Sequence, residues 1–449
     1  MSLPLPGAAT VPPRPASGSG AAAFLDTAAS LGARVCRDAL WASRLCNWIG
    51  PSMEPLGGRW RQVHRAYGPE LYGGTAGIAL FLARLHAASG ERVFKRTALG
   101  AVGHALARAE EIEPPARIGA YSGWAGIAYA ALTIAPLLAD DSLRAPALAM
   151  LAAVAASELD RQNLDVLAGC AGAIAPLLRV HAELGGPEAL RDAAVRFGDH
   201  LIATAVRSAA GCSWGTHGDG AVERLPWIGN LTGFSHGAGG IGWSLLELYQ
   251  ATGEARFREA AEGAFGYERH WFDAERGNWP DLRDPEMSGT PAPAPAGGPP
   301  FMTAWCHGAP GIGLSRLRAW EILSDERCRQ EAETAIATTL ASVGSGGPEM
   351  SQNNYSLCHG LGGNCDLLLD GSEVLGNPAW RERAERLALQ AIETYEEQKL
   401  PWPCGTFGSV EVPGLMLGLS GIGYFYLRLA DPAGTPSVLI WRGAGRPAG

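Results

Sequence analysis

The stretch WCHGAPGIG, Trp305–Gly313, holds a Gly-x-x-Gly tetrad at Gly308 and Gly311, followed at once by Ile312. The tetrad returns along the whole chain. Its first glycine falls at Gly74, Gly123, Gly169, Gly237, Gly308, Gly360 and Gly418, and its second at Gly77, Gly126, Gly172, Gly240, Gly311, Gly363 and Gly421. Successive copies lie 46 to 71 residues apart, and five of the seven continue with Ile. In a chain with 60 glycines one such tetrad carries no information, but seven with matched downstream sequence define a repeat.

Each repeat contains two kinds of helix. The segments after the tetrads, such as IALFLARLHAA and IGYFYLRLA, are apolar over most of their circumference, as in helices packed on all sides. Between them lie amphipathic segments: Trp380, Ala384, Leu387, Ala391 and Tyr395 recur at helical spacing, with Arg381, Glu382, Glu385 and Arg386 on the other face. Asn377 is a natural cap for that helix and Pro378 suits its first turn. Leu190, Ala194, Phe197 and Leu201 form a similar stripe after Pro187, and Phe257, Ala261 and Ala264 another. Seven inner and seven outer helices close as a double ring, so the expected fold is all-α, an α/α toroid with all seven tetrads at one axial end. An open solenoid would need polar capping repeats at its ends, and the sequence offers none.

Composition narrows the function. The chain has 449 residues, 47% apolar and 18% charged, enough for a large core. A net charge of -9 and the absence of Lys/Arg runs exclude a phosphate-neutralising face, so nucleic acid is not an expected partner. Residues 1–22 are rich in Pro, Gly, Ala and Ser without the cationic start and apolar block of a signal peptide, which reads as a disordered tail on a cytoplasmic protein. Tyr121–Ala139 is uncharged, but Gly123, Gly126 and Pro136 interrupt it and Ala dominates, so it reads as a buried helix and the protein as not integral to a membrane. Pro285–Pro300 reads as a mobile insertion between the fourth and fifth repeats. Nine widely spaced cysteines fit free thiols and metal ligands better than a disulfide framework.

If the tetrads share one height, the residue before each first glycine lies on a ring: Gly73, Ser122, Ala168, His236, His307, His359 and Leu417. Three of the ten histidines fall on it, and one residue further upstream two copies carry Cys306 and Cys358. Two thiolates and an imidazole suit zinc, and a catalytic site keeps a fourth position open, so Cys306, Cys358 and His359 are the expected Zn2+ ligands. Zinc would take the proton from a substrate thiol that is otherwise mostly protonated at neutral pH. For single residues the plain readings stand beside this one. A lone buried Cys is usually a small hydrophobe, His236 can be a hydrogen-bonded interior histidine, and His307 either lies against the metal site or packs. Cys36, Cys46, Cys170, Cys212, Cys328, Cys365 and Cys404 lie off the ring and are expected to be structural thiols.

WCHGAPGIG, LCHGLGGN at Leu357–Asn364 and TGFSHGAGGIGW at Thr232–Trp243 resemble the lanthionine synthetase C-like family. LYGGTAGIALFLARL, CNWIG at Cys46–Gly50 and PGLMLGLSGIGYFYLRLADP resemble more narrowly the C-terminal cyclase domain of class II lanthipeptide synthetases. The resemblance runs over residues 23–438, which makes that span the toroid and 439–449 a C-terminal tail. It implies a zinc enzyme of the cytoplasm that adds peptide cysteines to dehydroalanine or dehydrobutyrine in a leader-bearing, dehydrated precursor peptide. It also places the zinc ligands on Cys306, Cys358 and His359, an acid/base histidine on His236, and an active-site aspartate on Asp165, which the residues alone present as a helix-start carboxylate. His307 would orient substrate or donate a second proton. Two departures stand out: His307 follows Cys306 where the stand-alone cyclases carry Tyr, and Met302 stands where they carry Arg. A full class II synthetase carries a large N-terminal dehydratase domain that nothing before Ala23 could supply, which leaves two readings open: a separate dehydratase partner, or a chain that is a fragment of a longer synthetase.

Three rival readings stay open. A prenyltransferase-like zinc thiol enzyme would want a Lys/Arg cluster at the mouth, and none adjoins the ring positions in sequence. A toroidal glycosidase or terpene-type cyclase needs paired or clustered carboxylates, whereas only Asp165 is near. A non-catalytic, zinc-containing peptide-binding toroid would differ from an enzyme in failing to react with a dehydrated peptide.

Overall fold

Among the described residues, fourteen α-helices, α1 to α14 in chain order, alternate between two concentric rings. The computed structural model of the protein describes residues 19–56, 59–160, 162–216, 230–283, 298–343, 354–406 and 410–442. The inner ring is α2 (Thr75–Ser89), α4 (Trp124–Leu138), α6 (Cys170–Leu184), α8 (Ala238–Thr252), α10 (Ala309–Leu323), α12 (Leu361–Leu375) and α14 (Leu419–Ala430). Each starts at the residue after a tetrad's first glycine, and each packs on the next until α14 meets α2. The ring is therefore closed. The outer helices are α3 (Arg92–Ala107), α5 (Arg144–Ala155), α7 (Glu188–Thr204), α9 (Ala255–Trp271), α11 (Glu326–Ser342) and α13 (Pro378–Ala391), and α1 (Ser19–Arg37) completes the set by packing against α14. The predicted stripes face inward: Leu190, Ala194, Phe197 and Leu201 on α7 and Ala384, Leu387 and Ala391 on α13 are buried. The side chain of Asn377 caps α13 by accepting from the Ala379 amide at 3.2 Å.

Backbone hydrogen bonds tie the seven loops before the inner helices into one circuit. The Tyr72 amide donates to the Tyr121 carbonyl (2.8 Å), Tyr121 to Leu167 (3.0 Å), Leu167 to Ser235 (3.2 Å) and Ser235 to Cys306 (3.3 Å). Trp305 then donates to Cys358 (3.0 Å), Cys358 to Met416 (3.0 Å) and Met416 back to Tyr72 (2.8 Å). Apart from Trp305, every member stands two residues before a first glycine, so all seven tetrads lie at one end of the axis. The second glycines have a different task. A Cβ at any of them would strike the carbonyl oxygen three residues before the paired first glycine, at distances from 1.6 Å (Gly126 on Ala120) to 2.1 Å (Gly77 on Leu71). Only glycine lets the loop lie this close to the helix.

The chain ends differ from the expected boundaries. Helix α1 begins at Ser19, so residues 19–22 belong to the outer ring, while 1–18 lie outside the described residues. At the other end, residues 439–442 are not a tail. Leu439, Ile440 and Trp441 are buried, Trp305 Nε1 donates to the Leu439 carbonyl (2.9 Å), and Trp441 stacks on Tyr121 and Tyr129 at 5.4 and 4.8 Å between ring centroids. These contacts fill the axis of the inner ring. They depend on side chains of α4 and of two repeat loops, which no local pattern announces. Residues 443–449 and the insertion at 285–297 lie outside the described residues.

The inner helices also carry charges that their apolar pattern hides. Arg318 on α10 pairs with Glu247 on α8 (2.6 Å), and Arg428 on α14 pairs with Asp366 and Asp370 on α12. Buried charges persist only when partnered in this way. Three short antiparallel hairpins, β1–β2 (Leu40–Ala42, Leu45–Asn47), β3–β4 (Ile49–Leu56, Arg59–Ala66) and β5–β6 (Val206–Ser208, Gly211–Ser213), decorate the helices without altering the all-α class. Tyr121–Ala139 supplies the buried helix α4, and among the described residues no helix is long and apolar enough to cross a membrane.

Because the circuit needs the loops pressed onto the helix starts, Gly126→Ala is expected to destabilise the fold by about 1–3 kcal/mol, the usual range for overpacking. Urea unfolding measures it, and a loss below about 0.5 kcal/mol, the range of surface substitutions, would contradict the tight-approach role.

Candidate active site at the mouth of the toroid

The closed circuit decides which side chains meet. Cys306 and Cys358 occupy equivalent positions in consecutive repeats, and each thiol is the strongest influence on the other's ionisation. That influence splits the pair electrostatically: Cys358 holds the Cys306 thiol below its ordinary value against the effect of burial, and Cys358 is pushed well above. Arg283 and His236 also favour the Cys306 thiolate. Of the two thiols Cys306 therefore ionises the more readily. Below them, Trp305 packs on Tyr121 and Phe234 at 5.1 and 5.6 Å, an aromatic floor to the mouth.

His359 lies beside this pair in the chain. Its Nε2 is 3.0 Å from the Gly405 carbonyl, and since a carbonyl only accepts, Nε2 carries the hydrogen and Nδ1 keeps the lone pair. Burial lowers its pKa, so the ring is neutral, as a metal ligand must be. The donor set of two facing thiols and a neutral, oriented imidazole thus fits zinc in kind. Among the described residues, however, no three His, Cys, Asp or Glu side chains are gathered closely enough to hold an ion.

On the neighbouring loop stands a second pair. Asp165 lies in the loop before α6, where its Oδ1 accepts from the Ala168 amide at 2.7 Å. Its Oδ2 lies 2.6 Å from Nδ1 of His236. A carboxylate and a ring N–H fix the tautomer, and Nε2 is left without a partner among the described residues, on an imidazole that is 31% exposed. Burial alone would lower the pKa of His236, but the hydrogen bond to Asp165, its charge and that of Cys306 outweigh burial and raise it. Asp165 therefore does more than start a helix.

His307 is not at the surface. It is 1% exposed, neither ring nitrogen has a hydrogen-bond partner, and its ring lies 6.1 Å from that of His236. Burial, assisted by Arg283 and His236, takes its pKa down to about 3, so it is neutral. The nearest acid is Asp281, 3.8 Å from Nδ1.

Three neighbours escaped the sequence reading. Tyr72 favours ionisation of the Cys358 thiol and occupies the same position in the first repeat that Cys306 and Cys358 occupy in theirs, so reading the ring one residue upstream would have found it. Asp281 and Arg283 come from the irregular segment after α9, which the ring positions do not index. Asp281 clamps the Arg283 guanidinium (3.0 Å to Nε, 2.6 Å to Nη2), whose Nη2 also lies 3.2 Å from the sulfur of Met302. The off-ring cysteines behave as structural thiols: Cys170, Cys365 and Cys404 are buried, and burial pushes each up to about 12.

A closed α/α toroid with thiols and a His–Asp dyad at one rim is the class of protein that these residues define. Residues 65–440 match the lanthionine synthetase C-like protein family, and the chain belongs to that family. A nisin cyclase structure superposes with a TM-score of 0.61 at 19% identity, covering 83% of this chain and 91% of that one. The lacticin 481/lactococcin biosynthesis protein LcnDR2 of Lactococcus lactis subsp. lactis is 24% identical over 217 residues, 47% of this chain and 22% of that protein's length. An unsaturated glucuronyl hydrolase from Bacillus sp. GL1 overlaps more loosely, with a TM-score of 0.46 at 14% identity over 95% of this chain and 100% of that one.

The dyad gives a pH prediction. A histidine whose pKa rises on folding adds stability that is complete below its unfolded value, near 6.5, and lost as pH climbs through the folded value. Asp165→Asn keeps an acceptor but removes the charge, so His236 in the variant is expected to titrate at lower pH than in the wild type. Histidine ring NMR titration of both proteins measures this, and equal midpoints would contradict it.

Proposed function

We propose that this chain is a zinc-dependent lanthionine synthetase of the cyclase type. It adds cysteine thiols of a dehydrated, leader-bearing precursor peptide to dehydroalanine or dehydrobutyrine, forming (methyl)lanthionine thioether rings. The observation that carries the reading is the convergence of the Cys306–Cys358 pair and the Asp165–His236 dyad on one rim, in a chain of the lanthionine synthetase C-like family. The likeness to nisin cyclase supports the fold on which such a reaction would run. A separate dehydratase would supply the dehydro residues, and the cytoplasm is the proposed compartment.

Cys306, Cys358 and His359 are the residues that would hold zinc. A zinc ion there would lower the pKa of an incoming thiol and fix its sulfur at the rim. The chain's own residues do the rest. The substrate thiol releases its proton, and its sulfur forms a bond to the β-carbon of the dehydro residue. The electron pair of the carbon–carbon double bond moves toward the amide oxygen. His236, positioned by Asp165, then delivers the Nε2 proton to the α-carbon, which sets its configuration. His307, neutral and buried beside His236, shapes the pocket that holds the dehydro residue.

Metal content and activity separate these roles. Cys306→Ala, Cys358→Ala and His359→Ala are expected to lose most of the zinc, read by atomic emission. His236→Ala keeps it and loses about 10²–10⁴-fold in ring formation, the span of general acid catalysis. Free thiols on a dehydrated test peptide, counted by alkylation before and after reaction, read the activity, because ring closure leaves the mass unchanged. Full zinc in all three ligand variants, or an active His236→Ala, would overturn the assignment.

A further inference from the structure

Resting on the cyclase reading, this inference concerns the negative charge that the reaction creates. When sulfur bonds to the β-carbon, an electron pair arrives on the amide oxygen of the dehydro residue and stays there until the α-carbon is protonated. Such charge needs a fixed donor, preferably cationic, distinct from the proton source. The described residues provide one. Asp281, which clamps Arg283, has its Oδ1 3.8 Å from Nδ1 of His307, the residue after Cys306, and Arg283 Nη2 lies 3.2 Å from the sulfur of Met302, so the guanidinium stands beside the loop that carries Cys306, whose thiolate its charge favours.

Its own contacts leave part of it available. Asp281 Oδ1 and Oδ2 engage Nε and Nη2, and Oδ1 also accepts from the Arg283 amide at 3.1 Å, so one carboxylate fixes both the backbone and the side chain. Asp281 is itself anchored, with its amide donating to the Pro300 carbonyl at 2.8 Å and its side chain 4% exposed. Nη1 of Arg283 has no partner among the described residues, and the side chain keeps 25% exposure. A guanidinium with two nitrogens clamped and one edge free cannot swing away and loses little freedom on meeting an oxygen.

We propose that Arg283 is a catalytic residue that holds the carbonyl oxygen of the dehydro residue through its free Nη1 edge and takes up the charge developing there, with Asp281 as its positioning residue. In balance, the thiol proton leaves to solvent, the S–Cβ bond forms as the C=C π bond breaks, the pair rests on oxygen against Arg283, and the proton from His236 restores the carbonyl with a new Cα–H bond. Acid and cation then divide the two ends of the enolate.

The test uses the full chain and a peptide carrying one dehydroalanine and one cysteine, with thiol alkylation as the readout. Wild-type protein is assayed first, since its failure to close the ring overturns the cyclase reading itself and not the assignment of Arg283 alone. Given an active wild type, Arg283→Ala is expected to keep its zinc, hold KM within about threefold, and lose about 10²–10³ in kcat, the scale of removing one oxyanion donor. Added methylguanidinium is expected to restore part of that kcat where methylammonium does not, and Asp281→Asn should fall between wild type and Arg283→Ala. A kcat within threefold of wild type overturns the proposal. So does a loss that guanidinium fails to restore, which would make Arg283 structural.

Discussion

Seven backbone hydrogen-bonding links, closing from Tyr72 through Tyr121, Leu167, Ser235, Cys306, Cys358 and Met416 back to Tyr72, hold the functional end of this protein together. Each link joins loops that are 46 to 71 residues apart in sequence, or, for the last, Met416 to Tyr72 across nearly the whole chain. Buried amides and carbonyls must be paired, and here their pairing also sets the positions of the side chains. Two of the linked residues are cysteines and one is the tyrosine that favours ionisation of the Cys358 thiol, while the next residue along is a histidine in three repeats. The circuit is thus both the closure of the fold and the scaffold of the site, and the second glycine of every tetrad exists to let it form.

Around this frame the charges are divided. Asp165 raises the pKa of His236 and leaves its Nε2 free. Asp281 holds the Arg283 guanidinium, and the cation's field reaches both thiols. His307, with its ring 6.1 Å from that of His236 and its Nδ1 3.8 Å from Asp281, stays neutral because burial and neighbouring positive charge oppose its protonation. A rim that carries a proton donor, a cation and two thiols suits a reaction in which sulfur adds to an electron-poor double bond. It suits hydrolysis of a glycoside poorly, since Asp165 and Asp281 are each committed to a partner.

Much of this was legible because repetition makes tertiary position readable. Seven tetrads fixed the number of inner helices, the amphipathic stripes of α7, α9 and α13 identified the outer ones, and alignment on the first glycines brought Cys306, Cys358 and His236 to one rim before any coordinates. The link between Asp165 and His236 came through family likeness and is a 2.6 Å contact in the structure. What repetition does not cover was missed. Arg283 and Asp281 sit in an irregular stretch between an outer helix and the next tetrad, off the ring positions that the tetrads index. Residues 439–442 read as a tail because their burial rests on Tyr121, Tyr129 and Trp305, each far away in sequence. Helix α1 closes the outer ring across the chain ends, and no periodicity links Ser19 to α14.

Zinc-edge X-ray absorption on the purified protein, before and after a cysteine-bearing dehydrated peptide is added, tests the central claim most directly. The account predicts two sulfurs at about 2.3 Å with nitrogen or oxygen at about 2.0–2.1 Å at rest, and a third sulfur at the same distance when the peptide binds. A protein that purifies without zinc, or a metal whose sulfur count does not change on adding the thiol, would contradict it.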